Sequence, residues 1–433
     1  MIKTTLGLVA DIITGPFGSS LHQYEYVSFG IPVIMPQDIG NRNLSYEKIA
    51  YITQEKANEL SRYLVDTNDI VYARRGDIEK HAFITDNDKG AICGTGCLRV
   101  RIIDKTVNPI FLSFYLNKPE TKKWISLHAV GSNMPNINTE ILSKVPIVLP
   151  DKKEQDSIAS FLDSIDNKIS NNNDICSDLE GMAKLLYNYW FVQFDFPDEN
   201  GKPYKSSGGK MVWNEELKRE IPDGWEIDSI GNHISVKRGV SYSSNDIVGN
   251  GIPMLNLNSF NTDVTYKESG IKTYSGNYSN DKIVSPYDLI MCATQQTDID
   301  ISGKTNVIGK ALFVPDIFES QIITSMDVIT LMCDDTFNKY YLRATINAPF
   351  FHKYIVGFAN GTKIKHLDVS GLLNMQHEIP PNGIMSKYSS VIELFEKEKS
   401  KIIRENQELA SLRDFLLPML MNGQVTVKKG ETQ

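Results

Sequence analysis

Much that would mark a catalyst, a membrane protein or a disulfide-stapled domain is missing from this 433-residue sequence. No apolar run approaches the ~20 residues of a membrane span, and the opening MIKTTLGLVADIITG lacks the basic start and long apolar core of a signal peptide. Five cysteines, at 93, 97, 176, 292 and 333, make an odd number with no Cys-x-x-Cys. Cys93 and Cys97 are the only close pair, and no second pair follows at zinc-ligand spacing. A reducing cytoplasm is the expected home. The seven histidines form no His-x-x-x-His pair, and no serine sits in a Gly-x-Ser-x-Gly elbow. Gly303-Lys304-Thr305 ends like a phosphate loop, but the position five before Gly303 is Asp298, where a glycine is required. Asn347-Ala-Pro-Phe350 and Asn108-Pro-Ile-Phe111 fall near the Asn-Pro-Pro-Phe loop of amino-methyltransferases, yet no glycine-rich cofactor loop accompanies them. Asn108-Pro109 reads better as a helix start. Nothing here has the pattern of an active site.

Excess positive charge is lacking too. The net charge is −8, which argues against a nucleic-acid partner until it is divided along the chain. Residues 151–224 hold 15 acidic against 9 basic side chains, whereas residues 1–150 are balanced and locally basic at Arg74-Arg75 and Arg99-Val-Arg101. Local patches decide nucleic-acid binding, so the total neither supports nor excludes it.

Duplication, by contrast, is plentiful. From Pro150 to Phe191 apolar residues step by threes and fours (Ile158, Leu162, Ile165, Ile169, Leu179, Ala183, Leu186). Beyond Pro381 the pattern returns with Val391, Phe395, Ile402, Leu409, Leu412 and Leu416. Each stripe is narrow, as in a coiled-coil seam, and the two helices most simply pack on each other. Asn172 and Cys176 interrupt the first seam; Glu398 with Glu405 or Asn406 interrupts the second, and polar seam residues fix register. The plainer alternative is that each helix only covers its own domain. The segments before the helices repeat as well. GIPMLNLNSF at 251–260 echoes GIPVIMPQDI, Pro286-Tyr-Asp-Leu-Ile-Met echoes Thr67-Asn-Asp-Ile-Val-Tyr, and Phe358–His366 takes the place of the loop starting at Ala129. Strand-like runs such as Asp69–Tyr72 and the alternating CLRVRII at 97–103 stand beside the helix IFLSFYLN, so each globular part is a mixed α/β domain. The expected order is domain 1–150, helix 151–191, a Gly/Pro/Ser-rich linker 192–224, domain 225–382, helix 383–421 and tail 422–433.

Gly15-Pro-Phe-Gly-Ser19, Pro36-Gln-Asp-Ile39, Asp69–Asp77 (DIVYARRGD), Gly131-Ser-Asn-Met-Pro-Asn136, Asn200–Met211 (NGKPYKSSGGKM), Ile221-Pro-Asp-Gly-Trp225 and the two helices, taken in order, resemble the specificity subunit of type I restriction–modification systems over essentially the whole chain. The resemblance implies two target-recognition domains joined by two long helices packed as an antiparallel coiled coil that spaces them. It also implies a non-catalytic role: directing partners to a bipartite, asymmetric target on double-stranded DNA. Those partners are two methyltransferase subunits using S-adenosylmethionine and, for cleavage, two restriction subunits using ATP and Mg; no cofactor is expected on this chain and no membrane. A stand-alone DNA-binding regulator and an enzyme with an unrecognised site are the competing readings.

Candidate DNA contacts follow from side-chain chemistry. Arg74 and Arg75 can grip guanine bidentately or clamp a phosphate, with a surface ion pair to Asp77 or Glu79 as the alternative. Ser132, Asn133 and Asn136 can contact bases or phosphates, or merely make turns. In the second domain Gln295, Gln296 and Thr297 take the place of the arginine loop, and Gln pairs well with adenine. Lys363, Lys365 and His366 are candidate phosphate contacts.

Overall fold

A computed structural model describes residues 2–46, 48–131, 134–261, 263, 265–296, 307–362 and 364–427. The chain divides into two units, one made of residues 1–170 and 408–433, the other of residues 171–407. Each long helix is therefore shared, which differs from the sequence-based division into domains and separate helices.

In the first unit, Ala10–Thr14, Cys97–Ile102, Ile70–Ala73 and His81–Phe83 form an antiparallel sheet in that order. A second sheet pairs Ile31–Ile34 antiparallel with Ala50–Ile52 and parallel with Ile92–Cys93. The central strand Ile70–Ala73 is buried along both faces because successive residues point oppositely. Ile70 and Tyr72 enter the core shared with the helices, while Val71 and Ala73 enter a smaller core under the second sheet. The second unit repeats this with Ile234–Arg238, Val328–Cys333, Leu289–Cys292 and Ala311–Phe313. Leu289 and Met291 face one core, Ile290 and Cys292 the other. Its second sheet again joins one strand, here the longer Ile247–Leu255, antiparallel to Lys272–Tyr274 and parallel to Ile322–Thr324. Ile2–Thr5 with Pro146–Leu149, and Glu226–Ser229 with Gln376–Ile379, are the matching two-stranded ribbons. The strand at Cys97–Ile102 is not half-buried as its alternation suggests: Cys97 to Val100 are covered on both faces.

The first long helix runs Lys152–Tyr187 and the second Asn382–Met421, 36 and 40 residues. Asp151 caps the first by accepting from the Glu154 N–H at 2.9 Å. Within the second unit the two helices are antiparallel, since rising numbers on one meet falling numbers on the other. Asn172 donates to Glu405 (2.7 Å) and Asn406 (2.8 Å), Glu180 meets Lys399 (2.8 Å), and Trp190 packs on Tyr388. Asn172 is buried and does act in the seam; Glu398 does not, being exposed and paired with Lys401. Within the first unit Arg413 meets Asp166 at 2.7 Å. The helices also bury into their domains, Ile158, Leu162, Leu417 and Leu420 in one core and Ala183, Tyr187, Met385 and Tyr388 in the other. The two alternatives for the helices thus both hold.

A buried arginine clamps each domain to its helix. In the first unit Arg42 lies over Phe114 at 3.3 Å, donates to Ser113 at 3.0 Å and pairs with Asp166. In the second, Arg343 makes two hydrogen bonds of 2.9 Å to Glu180 and approaches Glu396 at 3.5 Å. Burial alone would raise the Glu180 carboxyl, but Arg343 and Lys399 hold it down at about 2.

Residues 192–224 are no loose linker. A hairpin, Met211–Asn214 with Arg219–Pro222, closes within it, and Phe194, Phe196 and Ile221 bury in the second unit's core beside Trp225. Arg219 pairs with the buried Glu378. Its aromatic residues anchor it despite the glycine-rich composition, each buried phenylalanine contributing about 1.5–3 kcal/mol.

Candidate nucleic-acid interface

Strand register sets the candidate site of the first unit. Ala73 lies opposite Cys97 and Thr14 opposite Leu98, so the loops that follow Thr14 and Ala73 leave the sheet at one edge. There the Arg74 N–H donates to Gly96 O (2.7 Å), and the Arg74 carbonyl accepts from the Ile137 N–H (3.0 Å). Arg75 bridges to Asn136, and Asn136 and Val130 exchange two hydrogen bonds of 2.9 Å. Three of the residues singled out in the sequence, Arg74, Arg75 and Asn136, are thereby brought together. Arg75 is exposed, Arg74 and Asn136 half-buried. Ser132 and Asn133 lie outside the described residues. The surface ion pair does not form among the described residues: Asp77 takes Lys80 at 2.7 Å, and Glu79 accepts from Ser126. Arg74 Nε is shielded from solvent without a protein partner.

The other basic pair is structural. Arg99 donates to the carbonyls of Arg62 and Leu64, both at 3.0 Å, and Arg101 grips Asp69 bidentately at 2.8 and 2.6 Å. These arginines pin strand edges together and are not free to meet a ligand.

In the second unit the same patch is a regular sheet. Thr294 lies opposite His366, Gln295 opposite Lys365, and Asn360 opposite His366. The Leu367 N–H donates to Ala293 O at 2.8 Å, as Ile137 does to Arg74. Ala293 and Thr294 therefore stand where Arg74 and Arg75 stand, and His366 where Asn136 stands. Gln295 and Gln296 do not replace the arginines; they lie one and two residues further along. Gln295 is buried, with Oε1 3.4 Å from the Ile308 N–H, so it is turned away from a ligand. Lys365 is half-buried and His366 exposed. Thr297 and Lys363 lie outside the described residues. Sequence reasoning missed Val130, Thr294 and Asn360. The available signal was Gly131 and Gly361, 230 residues apart, with φ of +104° and +131°. A Cβ on either would crowd the carbonyl three residues on, at 2.8 Å from Met134 O and 2.0 Å from Ile364 O.

A second surface lies on the helices. Met182 (53% exposed) and Leu185 (70%) on the first, with Tyr189 (40%) in the wider turn that continues it, form a stripe, and Leu412 (46%) and Phe415 (65%) lie 230 positions beyond Met182 and Leu185 on the second. Leu412 is thus not in the seam where its spacing put it. Among the described residues no group of three or more His, Cys, Asp or Glu could hold a metal, and no helix is long and apolar enough to cross a membrane. Cys93 and Cys97 are buried and unbridged, and burial pushes the Cys93 thiol up to about 12.

Residues 5–180 match the family model described as type I restriction modification DNA specificity domain. The chain is 25% identical over 414 residues to the type I restriction enzyme MjaIX specificity subunit of Methanocaldococcus jannaschii, covering 94% of this chain and 89% of that one. It is 21% identical over 419 residues to the HindI specificity subunit of Haemophilus influenzae, covering 83% and 87%. A crystal structure of a type I restriction–modification S subunit from M. genitalium shares the fold, with a TM-score of 0.52 at 15% identity over 97% of this chain and 95% of that one.

Proposed function

We propose that the chain is one of the specificity subunits of type I restriction–modification systems, and that its two domains each read one half of a bipartite, asymmetric DNA target for methyltransferase partners. The observation that carries this reading is the patch built twice on one backbone plan with different side chains. Arg74, Arg75 and Asn136 occupy it in the first domain; Ala293, Thr294 and His366 occupy the same places in the second. One frame with unlike side chains predicts two unlike half-sites. Arg75 is the candidate base reader, because an exposed guanidinium can meet guanine O6 and N7 together. Arg74, with its shielded Nε, suits a phosphate, as do Lys365 and His366.

Methyl transfer from S-adenosylmethionine and ATP- and Mg-dependent cleavage are assigned to partner subunits. Two exposed apolar stripes at equivalent helix positions fit two copies of one kind of partner, hence two methyltransferase subunits. The test is base-resolution methylation mapping of DNA from cells expressing the chain with its neighbouring methyltransferase subunit, against a control without the chain. A two-part asymmetric motif methylated only when the chain is present supports the reading. No new methylation, with the partner folded and bound, overturns it.

A further inference from the structure

We propose that Phe17 is an aromatic wedge that enters the DNA base stack in the first half-site only. The inference rests on the reading of the Arg75 edge as the DNA face. Phe17 is 65% exposed, and an exposed phenylalanine by itself signifies little. Its mounting and its neighbours give it significance. The Gly15 N–H donates to Cys97 O at 3.0 Å, and a Cβ on Gly15 would lie 2.1 Å from Gly94 O, so the loop is pressed against the same 94–97 segment that holds the Arg74 N–H. Pro16 is buried, the Ser20 N–H closes a turn onto Phe17 O at 2.8 Å, and Leu21 is buried again beyond it. The ring is therefore held out to solvent by a short loop fixed at both ends, leaving the sheet at the edge that presents Arg75. Val130 and Met134, both exposed, extend the apolar surface beside Asn136. An aromatic flanked by a guanidinium is the pairing with which proteins part stacked base pairs while holding the backbone.

The second domain lacks this device. Gly239 is mounted like Gly15, its Cβ position 2.2 Å from Ser325 O, but the residue two positions on is Ser241. Asn360 replaces Val130. Unstacking is therefore confined to the half-site of the first domain.

The experiment uses the chain assembled with its methyltransferase partner and duplexes in which 2-aminopurine is stepped through both half-sites of the mapped target. Wild type should brighten one step in the first half-site, apart from any signal at the methylated base. Phe17→Ser should abolish that signal and weaken binding roughly tenfold, Phe17→Trp should keep both, and Ser241→Ala should change neither. Absence of an unstacked step in wild type overturns the proposal. So does Phe17→Ser leaving signal and affinity intact while Arg75→Ala relaxes recognition of the first half-site, which spares the DNA face. If Arg75→Ala is also silent, the DNA face itself is refuted. Loss of partner assembly by Phe17→Ser without DNA makes Phe17 a protein contact and overturns the wedge.

Discussion

The two domains fasten themselves to their helices at equivalent points with arginines from different places. Asp166 and Glu396 are 230 residues apart, one on each long helix, and each meets a buried arginine of its own domain. In the first unit that arginine is Arg42, from a loop, seated on Ser113; in the second it is Arg343, which occupies the position equivalent to Ser113 on a helix. The second arrangement leaves a cavity of about 350 Å³ lined by Arg343, Glu396, Lys399 and Tyr266. The lesson is that the duplicated frame specifies where a charge pair must sit and leaves open which strand or helix supplies the cation.

That comparison can be broken by mutation. Arg343→Met strands Glu180 and Glu396, with only Lys399 left between them, and should cost about 3–5 kcal/mol in chemical denaturation. Arg42→Met leaves Asp166 still paired with Arg413, so its cost should be smaller, about 1–3 kcal/mol. Equal losses would sink the idea that the second clamp is the more exposed to damage. For the reading edges, Arg75→Ala should relax discrimination at one half-site by about 1–3 kcal/mol and leave the other untouched; methylation of a library randomised in both halves reads this, and loss in both halves argues against separate reading. On the helices, Leu185→Glu should remove one bound methyltransferase subunit and keep the other, as native mass spectrometry of the complex would report; two retained copies would refute the stripe.

Acid should separate the units more gently. Burial, reinforced by Arg42 and Lys122, holds His81 in the first unit down to about 3 from an ordinary 6.5. Its neutral form is favoured by folding, so the stability it gives is complete above 6.5 and is lost as pH falls towards 3. On the order of 2 kcal/mol should be gone at pH 5, and His81→Gln should flatten that slope. Glu180 in the second unit, held at about 2, gives its stability above the ordinary 4.5 and loses it only between 4.5 and 2. Hydrogen exchange followed separately in residues 70–100 and 289–333 distinguishes the two; a first unit indifferent to pH between 6 and 5 would contradict the His81 account.

The legible part of the molecule was its repetition. Apolar period revealed both long helices, and a capping residue revealed the start of a short one: Asn108 does cap Pro109–Leu116 by accepting from the Phe111 N–H at 3.0 Å. The polar interruptions of the two seams were visible as well, and the structure pairs Asn172 of the first with Glu405 and Asn406 of the second. Illegible were pairings over long separations. Nothing in Arg99-Val-Arg101 says that Asp69 and two carbonyls are waiting, so a structural pair resembled a binding patch. Similarly, the loop alignment set Gln295 against the arginines, and the backbone bond from Leu367 to Ala293 together with the pairing of Thr294 and His366 shows that it is one residue too far to match Arg75. The aromatic residues of 192–224 were hidden by the polar composition around them.

Leu417, Leu420 and Met421 complete the core of the first unit, and Met385, Tyr388 and Ile392 that of the second. Neither core can close on the ribosome until the second long helix has emerged. The first domain, made earliest, must wait through more than half the chain with its apolar face uncovered, which makes it the natural client of a chaperone during synthesis.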